Sequence, residues 1–179
     1  PRKESVLLGY YDARLDEVEV FVGALDAESL SVGERFRALM HRRIESIGRD
    51  RRLYEALASM TADPKSPIGL FGDETAHLRE RSRELFRFVL APVKLEGDEE
   101  GLLLHAFFAL EVALHLYFVY DDSPNLSRTH HMIDDLGELV DDFLPLRAFA
   151  APLIERIARI LRNGGIPFEA TPKPGNSSD

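Results

Sequence analysis

The feature that most constrains this chain is a continuous apolar stretch at residues 101–120, which reads GLLLHAFFALEVALHLYFVY. Only His105, Glu111 and His115 interrupt it with ionisable groups. At helical pitch the stretch is about 30 Å long and apolar on every side, so it must lie in a protein interior or in a membrane. Three ionisable groups make a membrane span the weaker interpretation. We therefore expect a buried central helix and no membrane partner.

The sides of this predicted helix differ in residue type. One broad side is rich in alanine and suits close approach by another helix; it includes Ala106, Ala109, Leu110, Ala113 and Tyr117. The three-and-four spacing of helical neighbours forms another arc from His105, Phe108, Glu111, Val112 and His115. Polar groups on an otherwise buried helix need partners. Those partners could be protein atoms, water, or a ligand in a cavity.

Composition limits the class of protein. The chain has 179 residues, enough for one domain with a substantial core. It contains no cysteine, which excludes disulfides, thiolate metal sites and a cysteine nucleophile, and which fits a reducing compartment. No signal peptide is visible in the first residues, so we expect a cytoplasmic protein. The formal charge of −9 argues against a stand-alone nucleic-acid binder, because such domains usually carry a basic patch.

Periodicity, caps and breaks predict an all-α fold of seven helices. Besides the central helix, these lie at about 2–25, 32–47, 50–60, 74–91 and 125–144, and from Pro145 through Leu161. Ser31 and Glu34 fit a capping box, in which each side chain bonds the other residue's backbone N–H. Ser123-Pro124 fits a helix entrance.

The regions outside the helices also carry predictions. The segment TADPKSPIGLFGDE reads as a loop, but its Ile68, Leu70 and Phe71 are too apolar for a solvated linker. We expect them against the core or over a cavity mouth. Residues 1–163 form one all-helical domain in this interpretation, and residues 164–179 form an irregular tail.

The sequence lacks the common catalytic and metal-binding motifs, including phosphate loops, G-x-S-x-G and H-E-x-x-H. The one metal-like spacing joins Glu111 to His115, one helical turn later, with His105 on the same arc. We favour the other explanation of this spacing, an intrahelical Glu–His pair that neutralises itself. We expect no metal, no cofactor and no enzymatic activity. A metal-binding or enzymatic helical bundle that uses these three residues is the alternative.

Two short segments resemble a known family. The opening PRKESVLLGYYD at residues 1–12 resembles the start of the fourth helix of TetR-type transcriptional regulators. In that family this helix directly follows the DNA-reading helix-turn-helix. The junction at residues 120–124, YDDSP, and the order of the helices resemble the family's C-terminal regulatory domain over about residues 1–163. The chain departs from the family in lacking the N-terminal DNA-binding module.

The resemblance implies a homodimeric, effector-sensing domain of a transcriptional repressor. In the family, small and usually apolar molecules bind between the regulatory helices and release DNA, and two helices from each subunit form a four-helix bundle. Here the matching pair lies at about 100–121 and 125–144. DNA would be a partner only through the missing helix-turn-helix. Independently of the family, two neighbouring helices with wide apolar faces favour self-association.

These expectations lead to two sets of candidate residues. The effector cavity is expected between the helices at about 2–25, 32–47, 74–91 and 100–121, lined by Tyr11, Met40, Phe86, His105, Phe108, Glu111 and Val112. If the polar arc instead packs on a neighbouring helix, no cavity exists. The dimer interface is expected to combine the alanine-rich side named above with Ile133, Gly137 and Val140.

Overall fold

The computed structural model describes residues 3–55, 66–69, 72–95 and 99–147, with seven further residues between 152 and 163. Five α-helices have defined bounds: α1 (Lys3–Ala24), α2 (Val32–Gly48), α3 (Ala76–Leu90), α4 (Glu99–Tyr120) and α5 (Ser127–Phe143). No strand occurs in these ranges, so the predicted all-α class is confirmed. The predicted helix near residue 50 is helical over 51–55 and then leaves the described residues, as does the predicted tail at 164–179.

The central helix of the fold is α2, not the apolar stretch. It packs against each of the other four helices, and its side chains Phe36, Leu39, Met40 and Ile44 are completely buried. By contrast, α4 buries only one side, through residues such as Leu104, Phe107, Leu114 and Phe118. The expectation of a buried central helix at 101–120 was therefore wrong, because α4 packs on the core with one face and leaves another open.

The start of α2 is fixed by the predicted capping box and by a contact from α5. The Glu34 backbone N–H donates to Ser31 Oγ (3.1 Å), and the Ser31 backbone N–H donates to Glu34 Oε2 (2.8 Å). In addition, Asp141 of α5 accepts bonds from Ser31 Oγ and from the Gly33 backbone N–H, both at 2.7 Å. A carboxylate at this end also complements the helix dipole.

The close approach between α2 and α5 depends on two glycines. A Cβ on Gly33 would overlap the Gly137 backbone oxygen and the Asp141 carboxylate. Gly137 and Ile133 are buried in this contact, and Val140 packs partly against the same core. The assignment of Gly137 and Ile133 to a dimer interface therefore needs correction. The close helix contact that we inferred from Gly137 is made within the chain.

The junction between α4 and α5 is organised by Asp121. Its Oδ2 accepts bonds from the Thr129 backbone N–H (2.9 Å) and the Thr129 hydroxyl (2.6 Å), while Oδ1 accepts the Ser123 backbone N–H (2.9 Å). Burial opposes the charged form, but these hydrogen bonds outweigh it and hold the pKa of the Asp121 carboxyl well below its usual range. A 3₁₀ turn at Pro124–Leu126 separates the two helices.

Candidate ligand cavity and exposed helix face

A cavity of about 330 Å³ lies among α1, α2, α3 and α4. This volume is within the range of small-molecule sites, roughly 300–1,000 Å³. Most of its walls are apolar: Leu15 and Val18 come from α1, Ile47 from α2, and Phe108 and Val112 from α4. The cavity is therefore lined by residues of four helices of the core.

A buried ion pair forms the polar part of the wall. Arg43 of α2 donates from Nη1 to Glu111 Oε1 of α4, and from Nη2 to Ser82 Oγ of α3 at 3.0 Å. Arg43 is 6% exposed and Glu111 is 4% exposed. Burial lowers the pKa of Arg43 to about 10, so the guanidinium stays charged at neutral pH. The pair joins three helices and balances its own charge inside the cavity wall.

His115 lies one helical turn after Glu111 and also lines the cavity. Burial, with a smaller contribution from the positive charge of Arg43, lowers the pKa of His115 to about 3. Its imidazole is therefore neutral at physiological pH. The ring packs edge-on to Tyr54, with centroids 5.6 Å apart, and Tyr54 also contacts Phe118 at 6.0 Å.

The two tyrosines of the cavity remain protonated. Burial is the main cause that raises the pKa of Tyr11 to about 12, and burial likewise raises the pKa of Tyr54 far above its ordinary value. Their rings meet edge to face at 6.2 Å. They supply neutral aromatic walls with a hydroxyl each.

Three buried polar atoms around the ion pair have no hydrogen-bond partner among the described residues: Arg43 Nε, Glu111 Oε2 and His115 Nε2. A fourth such atom, Arg14 Nε, lies on α1. All four side chains line the cavity. Leaving a buried polar atom unpaired costs roughly 1–3 kcal/mol, so unpaired atoms on one wall mark a place where a ligand could add bonds.

The loop before α3 covers part of the cavity. Ile68, which is buried, and Gly69 both line it. Thr75 holds the loop by donating its hydroxyl towards the Gly69 oxygen (2.7 Å) and the Gly72 oxygen (2.9 Å). The expectation that Ile68 packs at a cavity mouth agrees with this position, whereas Leu70 and Phe71 lie outside the described residues.

The structure brings together four of the seven residues predicted to bind a ligand, namely Tyr11, Phe108, Glu111 and Val112. The other three lie elsewhere. Met40 and Phe86 are completely buried in the core, where the Phe86 ring stacks on Phe107 at 5.5 Å. His105 does not line the cavity, and its Nδ1 lies 2.7 Å from the Gly101 backbone oxygen one turn earlier.

Sequence reasoning missed Arg43, Ser82 and Tyr54. Arg43 carried a usable signal, because it interrupts the apolar stripe of α2 between Met40 and Ile47. An arginine at such a position must find an acceptor when the stripe is buried. Nothing in the sequence distinguishes Ser82 or Tyr54 from ordinary helix residues.

The metal-site alternative would use Glu111, His115 and His105. Glu111 is bonded to Arg43, whose positive charge opposes a cation there. His105 lies apart from the cavity lined by Glu111 and His115. Within the described ranges, no group of three or more His, Asp or Glu side chains is placed to hold a metal ion.

A second feature is an exposed apolar stripe on α4. Ala106, Ala109, Ala113, Leu116 and Tyr120 are all exposed, and Tyr120 is 82% exposed. They recur at alternating spacings of three and four residues, as in helices that pack side by side. By length and composition α4 is also apolar enough to span a membrane, although its buried face carries the charged pair with Arg43.

A matching stripe runs along α5 and the turn after it. Leu139 is 61% exposed, Phe143 and Leu146 are also exposed, and Met132 and Leu136 are partly buried. Their spacing again alternates between four and three residues. These residues neighbour Ile133, Gly137 and Val140 along the helix but lie on its outer side.

No protein-family profile matches this sequence, and no curated protein is significantly similar to it.

Proposed function

We propose that this chain is the effector-sensing, dimerising regulatory domain of a TetR-like transcriptional repressor. The observation that carries the proposal is the cavity among α1, α2, α3 and α4, with largely apolar walls and the buried Arg43–Glu111 pair. Such a combination is typical of small-molecule sites. In this proposal a small apolar effector enters the cavity and releases the longer, cytoplasmic protein from DNA.

The exposed stripes on α4 and α5 support the dimerisation part of the proposal. Exposed apolar side chains in regular rows on two neighbouring helices usually mark an interface. A second copy would supply two further helices with the same stripes and close a four-helix bundle by two-fold symmetry. The interface would use Ala106, Ala109 and Ala113 as first expected, with the outer stripe of α5 in place of Ile133 and Gly137.

The helix α4 would connect effector binding with dimerisation. Its inner side presents Glu111 and His115 to the cavity, and its outer side presents Ala109 and Ala113 to the proposed partner. A ligand that shifts α4 would act on the interface directly, since packed helices move by small discrete steps. Tyr11 extends the same cavity to α1, which in the proposed longer protein would follow the DNA-reading module.

The decisive experiment uses the full-length protein. We expect a basic helix-turn-helix encoded just before residue 1, and specific binding to the DNA upstream of its own gene in a fluorescence-anisotropy titration. The present chain should not bind that DNA at moderate salt, because its charge is −9 and phosphate contacts dominate affinity. Absence of the upstream module, or binding by the present chain alone, would contradict the proposal.

A further inference from the structure

Resting on the proposed function, we infer that the cavity takes an uncharged, mostly apolar molecule with one hydroxyl group, and that Glu111, His115 and Arg43 hold this hydroxyl. The resemblance leaves the chemistry of the effector open, whereas the charges and the unpaired atoms of one cavity wall restrict it.

The charges of the polar wall compensate each other. Arg43 and Glu111 form a buried pair, and Arg43 also bonds Ser82. The third polar group, His115, is neutral at physiological pH. The wall therefore has no net charge. An ionised ligand group at this end would be buried without a counter-ion, which is strongly unfavourable.

The unpaired atoms of the polar wall include both an acceptor and a donor. Glu111 Oε2 can only accept, and Arg43 Nε can only donate. His115 Nε2 donates or accepts according to its tautomer. The smallest group that both donates to a carboxylate and accepts from an N–H is a hydroxyl. An ether or a carboxylate would leave Glu111 Oε2 without a donor.

The polar side chains can be reached from the cavity that they line. Glu111 and His115 lie one turn apart on the same side of α4, so one small group can reach both. The unpaired atoms are themselves shielded from solvent, although their side chains line the cavity. Binding therefore includes a small rotation of Glu111 or His115 that turns these atoms towards the ligand. The remaining apolar wall accommodates the body of the molecule.

A competing chemistry is an anion held by Arg14 and Arg79, which also line the cavity. Arg14 Nη1 is already paired with Glu17 at 2.9 Å, which neutralises its charge, although Arg14 Nε has no hydrogen-bond partner among the described residues. Arg79 donates to the Gly72 oxygen at 2.8 Å. The experiment includes anionic probes so that this chemistry gives a distinct result.

The test uses two matched sets of probes, one linear and one bicyclic. The linear set is 1-decanol, decyl methyl ether and decanoate; the bicyclic set is 2-naphthol, 2-methoxynaphthalene and 2-naphthoate. Dissociation constants are measured with the full chain by isothermal titration calorimetry. We expect the hydroxyl compound of at least one set to bind about tenfold or more tightly than its ether, as for one buried polar partner.

Variants then assign the preference to residues. His115→Phe keeps an aromatic ring next to Tyr54, and Glu111→Gln removes the charge; each should reduce the preference for hydroxyl over ether to about threefold or less. If Glu111→Gln does not fold, His115→Phe provides the test alone. Val112→Ala should weaken hydroxyl and ether compounds equally, and His131→Phe, at an exposed position of α5, should change neither.

Three results would overturn the inference. They are equal binding of hydroxyl compound and ether in both sets, tightest binding of the carboxylates, and no binding of any probe. The first leaves the proposed function intact, because an apolar effector would still occupy the cavity. The second keeps the effector-sensing role but replaces the apolar effector of the proposed function by an anionic one. In the third case, the DNA titration of the full-length protein decides the proposed function separately.

Discussion

Removing one member of the Arg43–Glu111 pair should destabilise the protein far more than removing both. The two side chains are 6% and 4% exposed, so either one alone would be a buried charge without its counter-ion. Breaking such a pair costs about 3–5 kcal/mol, whereas an apolar pair of similar volume is often close to neutral. We expect Glu111→Leu and Arg43→Met each to lower the free energy of unfolding by about 3–5 kcal/mol. The double variant should lie within about 1–2 kcal/mol of the parent protein.

The assay is urea unfolding followed by circular dichroism, at one fixed protein concentration because association shifts apparent stability. The coupling energy from this double-mutant cycle should be about 3 kcal/mol or more. The control is the same cycle on Glu84 and Arg87, an ion pair on α3 whose side chains are 64% and 36% exposed; it should give less than about 1 kcal/mol. A coupling below about 1 kcal/mol for Arg43–Glu111 would refute the reasoning, since it would show that cavity water solvates both charges.

Three further predictions concern packing, pH and association. Gly33→Ala should lower the free energy of unfolding by roughly 2 kcal/mol or more through overlap with α5, whereas Gly9→Ala, with open space around it, should raise it by up to about 1 kcal/mol. Folding lowers the pKa of His115 to about 3, so below about pH 6.5 the unfolded chain binds a proton that the folded chain does not bind. This group should therefore leave the free energy of unfolding unchanged above that pH and lower it by about 1.4 kcal/mol per pH unit below it. Replacement of His115 by phenylalanine should remove this slope in unfolding measured from pH 7.5 to 5, and an unchanged slope would contradict the assignment. Ala109→Glu should convert a dimer to a monomer in sedimentation, the matched exposed variant Ala76→Glu should not, and a dimer that survives Ala109→Glu would remove α4 from the interface.

Local signals in the sequence were sufficient to predict most helix ends. The capping box of Ser31 and Glu34 and the end of α2 at Gly48 depend on residues only a few positions apart, and both are present in the structure. The junction after α4 was predicted from Ser123-Pro124, but its organising residue is Asp121. That role depends on Thr129, eight positions later, and on left-handed backbone at Asn125 and Leu126, which no nearby pattern indicates.

Helical periodicity alone could not predict which face of α5 packs on the core. Its apolar face is wide enough that two adjacent stripes, one through Ile133 and Gly137 and one through Leu136 and Leu139, fit helical spacing equally well. Packing against α2 determines which stripe is buried, because Gly33 allows the backbone of Gly137 to approach closely. The sequence shows that both glycines exist, but not that they meet. The stripe through Leu136 and Leu139 is thereby turned outwards.

The cavity shows how two anomalies in the sequence can explain each other. Glu111 is the one acid within the apolar stretch at 101–120, and Arg43 interrupts the apolar stripe of α2. Neither charge could be buried alone, so each implied a partner that its own helix did not supply. Pairing them fixes the position of α4 against α2 before any ligand is considered. The pair also leaves the polar wall without net charge. The hydrogen bonds still available there therefore suit a neutral polar group of a ligand. The expected wall residues Met40 and Phe86 carried no such signal: an apolar side chain suits a cavity wall and a packed core equally, and both are completely buried in the core.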